Sequence, residues 1–309
     1  MNDAVHLITL FDLASSEIES IFAISDDLKS KFLRGQRDAL LPGRVLALFF
    51  EKSSLRTRVS FEAAMLHLGG GSLFLGNDVG FGKRESVADF GRVLSSYVDA
   101  IVVRSNQHQT VVDLAEHATC SVINGLTDLA HPCQVLSDLF TIKERLGSLN
   151  SGKLAWIGDG NNVARSLAIG CAKVGMPFAA AMPDGYQFDA ELLAEIRAEV
   201  PNAEIVVTDD PVKAVRDASA VYTDVWTSMG QESEQERRKQ AFAGYQVNAA
   251  LMSRAPADAL FMHCLPARRG LEVTDEVIDG PQSIVVEQAE NRMHVQKGIL
   301  AWLLGTKGR

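Results

Sequence analysis

Cysteine is scarce in this chain. The four cysteines, Cys120, Cys133, Cys171 and Cys264, form no C-x-x-C pair and no zinc-type spacing. That argues against a disulfide scaffold or a zinc module and suits a protein with free thiols. Basic charge is also in deficit: 30 Lys and Arg stand against 39 Asp and Glu, a net charge of -9. A nucleic-acid binder would normally show a basic face. An anionic substrate remains open, because a few placed arginines can dominate one pocket. No apolar run approaches the ~20 residues of a membrane helix. The opening stretch carries Asp3 and Asp12 and lacks a basic region before an apolar run. It reads as neither a secretory nor a transit leader, so a cytoplasmic protein that binds no membrane is expected. There is no GxxxxGK[ST], so no P-loop. Short repeats and low-complexity tracts are missing too.

What is present is ordinary globular material, 47% hydrophobic and 22% charged. At about 100–200 residues per domain, 309 residues make two domains the natural expectation. Short apolar runs alternate with segments of helical period. Strands are predicted at 44–50, 72–75, 100–103 and 121–124, with helices at 54–68, 87–97 and 110–117 and another opening at Pro132. The turn-rich 147–152 segment marks a boundary. Beyond it, strands are predicted at 153–157, 178–182, 204–207, 220–223, 259–262 and 283–286, and helices at 163–174, 189–200, 211–217 and 289–304. Such alternation implies parallel sheets covered on both faces. Ligands in such sheets bind beyond the carboxyl ends of the strands.

Most of the unusual motifs fall at strand ends. Ser54-Leu55-Arg56-Thr57 follows a strand and opens a helix, where free backbone N–H groups and a partial positive charge favour phosphate. Arg56 adds a planar fork for phosphate oxygens. A serine-capped helix with a solvated basic turn accounts for the same residues equally well. Arg104 ends a strand and, alone, reads as a solvent charge. In His131-Pro132-Cys133-Gln134, the imidazole suits a carbonyl oxygen and the Gln amide suits an NH2 group. Gly158-Asp159-Gly160-Asn161-Asn162-Val163 lacks the third glycine of a dinucleotide fingerprint. Its Asn pair suits either a helix cap or an amino-acid carboxylate. Asp224 stands at a strand end before Ser228-Met229-Gly230, with a carboxylate suited to an ammonium group. In His263-Cys264-Leu265-Pro266, neighbours on an extended segment point to opposite sides, so a Cys–His nucleophile pair is disfavoured. A structural role is expected for His263. Arg292, near the start of the last helix, either reaches an anion or is solvated.

Each signal is weak alone, but their order is distinctive. S-x-R-T-R, a strand-end Arg, H-P-x-Q, D-x-x-x-S-M-G, H-C-L-P and E-N-R together resemble the aspartate/ornithine carbamoyltransferase family, from about Leu7 to Leu304. The C-terminal motifs are similar to the branch that uses ornithine as acceptor. The resemblance implies an α/β fold of two doubly wound parallel-sheet domains joined by two long helices. It implies a carbamoyl phosphate-binding domain at 1–147, completed by the helix at 289–309, and an ornithine-binding domain at 148–288. It also implies a homotrimer or a multiple of trimers, no metal and no organic cofactor. Ser54, Leu55, Arg56 and Thr57 would hold the phosphate of carbamoyl phosphate, Leu55 through its backbone. Arg104, His131 and Gln134 would hold the carbamoyl end. Asn162, Asp224, Ser228 and Met229 would bind L-ornithine, and Cys264, Leu265 and Arg292 would complete the site.

Two departures from the family pattern stand out. Leu55 replaces the Thr of S-T-R-T. The Q-L-G-R-G-E loop appears as Gly80-Phe81-Gly82-Lys83-Arg84-Glu85. Gly80 has no side-chain amide to lend a neighbouring subunit, and Lys83, ahead of Arg84, is the candidate to supply a charge instead. In the implied reaction the neutral side-chain amine of ornithine attacks the carbamoyl carbon and phosphate leaves. Thr57, Arg104 and His131 would polarise the carbonyl, Arg56 would stabilise the phosphate, and Asp224 and Cys264 would orient the amines. Two alternatives remain: transfer to an N-acylated ornithine or another amine, and a nicotinamide-dependent dehydrogenase built on the 156–162 turn.

Overall fold

The computed structural model describes residues 4–76, 79, 81, 85–227 and 232–307. It divides into two compact units, residues 1–140 with 290–309, and residues 141–289.

The first unit is built on a four-stranded parallel sheet. Its elements run α1 (Ser15–Leu33), β1 (Val45–Phe50), α2 (Leu55–His67), β2 (Gly71–Leu75), α3 (Val87–Ser95), β3 (Ala100–Arg104), α4 (His108–His117), β4 (Ser121–Leu126) and the start of α5 (Pro132–Leu146). The strand order is β2-β1-β3-β4. The chain therefore winds one way from β1 to β2 and the other way from β3 to β4, which puts the switch point between β1 and β3. Both central strands are continuous apolar runs buried along nearly their whole length, as a sheet covered on both faces requires. Sequence reading assigns no element to 15–33, yet α1 is a 19-residue helix. Ile18, Ile21, Phe22, Ser25 and Leu28 form its buried stripe at helical spacing, and the Glu17 carboxylate caps the start by accepting the Ala14 N–H at 3.0 Å. Its partner is α12 (Val285–Ala301). A Cβ on Gly298 would lie 2.8 Å from the Ile21 carbonyl, so the two helices cross too closely for a side chain there.

The second unit carries a five-stranded parallel sheet of order β7-β6-β5-β8-β9. Its elements are β5 (Leu154–Ile157), α6 (Asn162–Val174), β6 (Phe178–Ala181), α7 (Ala190–Glu199), β7 (Ile205–Thr208), α8 (Pro211–Val215), β8 (Ala220–Thr223), α9 (Gln235–Ala241), α10 (Ala249–Met252), β9 (Leu260–His263) and α11 (Asp275–Ile278). The winding reverses between β5 and β8. Helix α5 runs across the first unit boundary and α12 across the second.

One expectation fails. The predicted strand at 283–286 is not a strand: Ser283 makes only an isolated bridge with Phe261, and α12 begins at Val285. The β-branched run Ile284-Val285-Val286 imitates a strand, but packing settles such short runs more than propensity does.

Candidate functional site

Both sheets place the sequence motifs at their switch points, where a doubly wound sheet opens a crevice. In the first unit, residues 51–57 leave the end of β1, and Arg104 is the last residue of β3. Ser54 caps α2, its hydroxyl accepting the Thr57 N–H at 3.3 Å and donating to Thr57 Oγ1 at 3.1 Å. Thr57 is fully buried, and two guanidinium groups converge on it. Arg292 Nη2 donates to Thr57 Oγ1 at 2.9 Å, and Arg104 Nη1 stands 3.5 Å from the same oxygen. Both arginines are buried. Two buried cations beside a helix N-terminus make a strongly anion-favouring place. Arg56, half-buried in the first turn of α2, is not joined to this cluster by a side-chain hydrogen bond, and Leu55 is exposed.

His131 is buried just before α5. Burial first, and then the charges of Arg292 and Arg104, hold its pKa well below the usual imidazole value. The ring is therefore neutral through the physiological range, and a neutral imidazole can donate a hydrogen bond without adding a third positive charge. Gln134, on the first turn of α5, is buried and donates its amide to Asp138 Oδ1 at 2.9 Å.

In the second unit, β5 leads into Gly158–Asn161 and β8 into Asp224. Gly158 has φ +144°, and a Cβ on Gly160 would lie 2.8 Å from the Tyr186 carbonyl, so this turn needs its glycines. Asn161 caps α6, its Oδ1 accepting the Val163 and Ala164 N–H groups at 3.0 Å each. Its Nδ2 donates to Asp224 Oδ2 at 3.0 Å, and the Cys264 thiol donates to Asp224 Oδ1 at 3.2 Å. The side chain brought to Asp224 is thus Asn161; the carbonyl of the Asn162 amide accepts the Val163 N–H at 3.0 Å.

His263 and Cys264 diverge as neighbours on an extended segment should. While Cys264 turns to Asp224, His263 is wholly buried with Nε2 3.1 Å from Glu272 Oε1. Its Nδ1 accepts the Leu265 N–H at 2.9 Å, which fixes the proton on Nε2. This bond holds the turn at Leu265, a residue with φ +57°. Asp224, His263 and Cys264 bring ligand-capable atoms within 4.8 Å of one another, but protein hydrogen bonds already engage both imidazole nitrogens and the thiol.

Sequence reasoning misses a further group. Arg238, buried on α9, donates to Asp159 at 2.7 Å, to the Trp226 carbonyl at 2.9 Å and to Glu234 at 3.0 Å. It ties the turn after β5 to both flanks of 228–231. Burial raises the Asp159 pKa despite the Arg238 charge. Ser228, Met229, Gly80 and Gly82–Arg84, including Lys83, lie outside the described residues.

These features define a two-unit α/β protein with an anion-favouring cluster of side chains on one sheet and an ammonium-suited carboxylate on the other. Family models match two successive parts of the chain. Residues 5–144 match the aspartate/ornithine carbamoyltransferase carbamoyl-P binding domain, and residues 150–303 match the Asp/Orn binding domain. The chain belongs to the aspartate/ornithine carbamoyltransferase family. It is 52% identical over 301 residues to the ornithine carbamoyltransferase of Bacillus subtilis (strain 168), covering 96% of this chain and 93% of that one. It is 49% identical over 302 residues to the anabolic ornithine carbamoyltransferase of Pyrococcus furiosus, covering 97% and 96%. Among solved structures, the ornithine carbamoyltransferase from Pyrococcus furiosus superposes with a TM-score of 0.94 at 47% identity, covering 99% of each chain.

Proposed function

We propose that this chain transfers the carbamoyl group of carbamoyl phosphate to the side-chain amine of L-ornithine, giving L-citrulline and phosphate. The observation that carries the reading is the pair of buried arginines on Thr57 in one unit and the Asp224 carboxylate, held by Asn161 and Cys264, in the other. The first suits a phosphorylated acyl donor, the second a free ammonium. An acylated α-amine would leave Asp224 without a cation, which disfavours an N-acylated acceptor. The nicotinamide alternative has no support from the family or from the glycine pattern.

Within this reading, Ser54, Leu55, Arg56 and Thr57 bind phosphate, with Arg292 from α12. Arg104, His131 and Gln134 bind the carbamoyl end, and Cys264 and Leu265 complete the set of substrate-binding residues. Asn162, Asp224, Ser228 and Met229 bind ornithine, with Asn161 orienting Asp224. The carbamoyl phosphate-binding domain is 1–147 with 289–309, and the ornithine-binding domain is 148–288. No protein nucleophile is required, because the substrate amine attacks. Catalysis is positioning plus stabilisation of charge on the carbonyl oxygen and departing phosphate.

The assembly we propose is a homotrimer, or a multiple of it, in which Lys83 reaches a neighbour's phosphate site. Leu55, Val59 and Leu66, spaced along one side of α2, are exposed apolar side chains suited to a second copy of the chain. A cytoplasmic enzyme of arginine biosynthesis follows from the same reading. Among the described residues, no helix is long and apolar enough to cross a membrane.

Product formation from carbamoyl phosphate with ornithine, acetylornithine, putrescine or aspartate tests the acceptor. A higher kcat/KM with any amine but ornithine overturns the assignment, and a mass of one or two chains by sedimentation overturns the trimer. The pH profile is a further check. Free alkyl amines hold their proton to about pH 10, so kcat/KM for ornithine should climb from neutral to mildly alkaline pH. His131, already neutral, should add no limb near pH 6.5. A flat profile for ornithine, or an imidazole-like limb that disappears in His131→Asn, would contradict this.

A further inference from the structure

The side-chain amide of Gln134 has two ends, and only one of them can recognise the donor substrate. A carbamoyl group presents an NH2, which needs an acceptor, while the Gln NH2 would meet it donor to donor. Rotation of the amide by half a turn exchanges the two ends at almost no steric cost, so something must set its polarity.

Asp138 lies one helical turn further along α5, at the i+4 position that faces Gln134. It is wholly buried, and its Oδ1 accepts from Gln134 Nε2 at 2.9 Å. A carboxylate only accepts hydrogen bonds, so it admits the NH2 end of the amide and rejects the carbonyl end. Gln134 Oε1 is thereby turned the other way. It is buried, with no hydrogen-bond partner among the described residues. A buried acceptor held without a partner is destabilising unless a ligand supplies the donor.

We propose that Asp138 is a positioning residue that sets the polarity of the Gln134 amide, and so makes the site select a carbamoyl over an acetyl phosphate. The two donors share the phosphate and the carbonyl and differ in NH2 against CH3 at one position. The fixed Gln134 Oε1 favours the first and gains nothing from the second. This rests on the reading of the first unit as the carbamoyl phosphate site. The selection ratio is the acetyl phosphate inhibition constant divided by the carbamoyl phosphate KM, and one hydrogen bond at a buried site moves it by roughly ten- to a hundredfold.

Asp138→Leu removes the anchor at similar size, and Asp138→Ser, too short to reach the amide, serves if the leucine variant does not fold. Both should raise the carbamoyl phosphate KM about tenfold or more and leave acetyl phosphate inhibition within about twofold. Asp138→Asn still offers Gln134 an oxygen and should recover the ratio to within about threefold of the parent. Gln134→Met should abolish selection, and adding Asp138→Leu to it should change the ratio no further. If the Asp138 variants weaken both ligands equally, the residue is merely structural and the proposal is overturned. If they leave the ratio intact while Gln134→Met collapses it, Gln134 keeps its role and Asp138 loses this one. Should Gln134→Met itself leave the ratio unchanged, the underlying reading of the carbamoyl pocket fails.

Discussion

Arg104→Met is expected to lower kcat by about 10²–10³, the effect of removing one preorganised donor from a site where charge develops. Met preserves much of the unbranched stem and removes only the guanidinium. The side chain is buried at the end of β3, 3.5 Å from the hydroxyl that Arg292 also engages. Two consequences separate catalysis from folding. Because Arg104 and Arg292 are like charges in one buried cluster, deleting one relieves repulsion, so Tm should hold or rise. The KM for ornithine should stay within about threefold, since Asp224, the residue suited to its ammonium, is held by Asn161 and Cys264. A variant with near-parental kcat would remove Arg104 from the reaction. One that loses kcat only because Tm collapses would make it a structural residue. The neighbouring imidazole gives an independent reading. Burial holds the His131 pKa down first, and the Arg292 and then the Arg104 charge add to it, so losing Arg104 should raise that pKa only part of the way.

Local order along the chain was legible where a periodicity survived. The alternation of apolar strands with amphipathic helices predicts parallel sheets, and strand ends predict where ligands sit. The divergence of His263 and Cys264 follows from the alternation of an extended segment alone. The Gln134–Asp138 bond joins an i+4 pair on a predicted helix, but helical spacing alone does not say which such pairs are buried and bonded. Helix α1 was missed although Ile18, Ile21, Phe22 and Leu28 have helical period, since polar residues interleave them and no strand precedes. Other features could not be read locally. Strand order depends on which edges pair, and nothing in β3 says that it lies beside β1. Arg238 meets Asp159 across 79 residues and Arg292 meets Thr57 across 235, distances over which no spacing rule operates. The resemblance implies Arg292 for the site, whereas Arg238 belongs to no motif and its contacts appear only in the fold. In the Asn161-Asn162 pair, helix geometry decided which amide meets Asp224. The cap position projects back over the strand ends, while the first helical residue turns along α6.

Asp224→Asn should lower kcat/KM for ornithine by about 10²–10³, because truncating one partner of a buried, hydrogen-bonded charge pair costs about 2–5 kcal/mol. The substitution is nearly isosteric, so the loss is electrostatic and polar rather than a cavity effect. In the parent, one carboxylate oxygen takes the Asn161 amide at 3.0 Å and the other takes the Cys264 thiol at 3.2 Å. An Asn at 224 must present an NH2 to one of those donors, so it loses an acceptor as well as the charge an ammonium needs. Norvaline, which keeps the α-ammonium and lacks the side-chain amine, distinguishes the two amines of ornithine. If Asp224 reads the α-ammonium, norvaline inhibition should weaken in the variant by a factor close to the loss for ornithine; if it serves only the attacking amine, norvaline should bind as before. Carbamoyl phosphate binding without acceptor should stay within about twofold, because the residues read as holding its phosphate, Thr57 and Arg292 with Arg104 beside them, are bonded among themselves and not through Asp224. Retention of kcat/KM for ornithine within tenfold would show that the acceptor is held without a charge at 224, and the reading of the second unit as an ammonium site would fall with it.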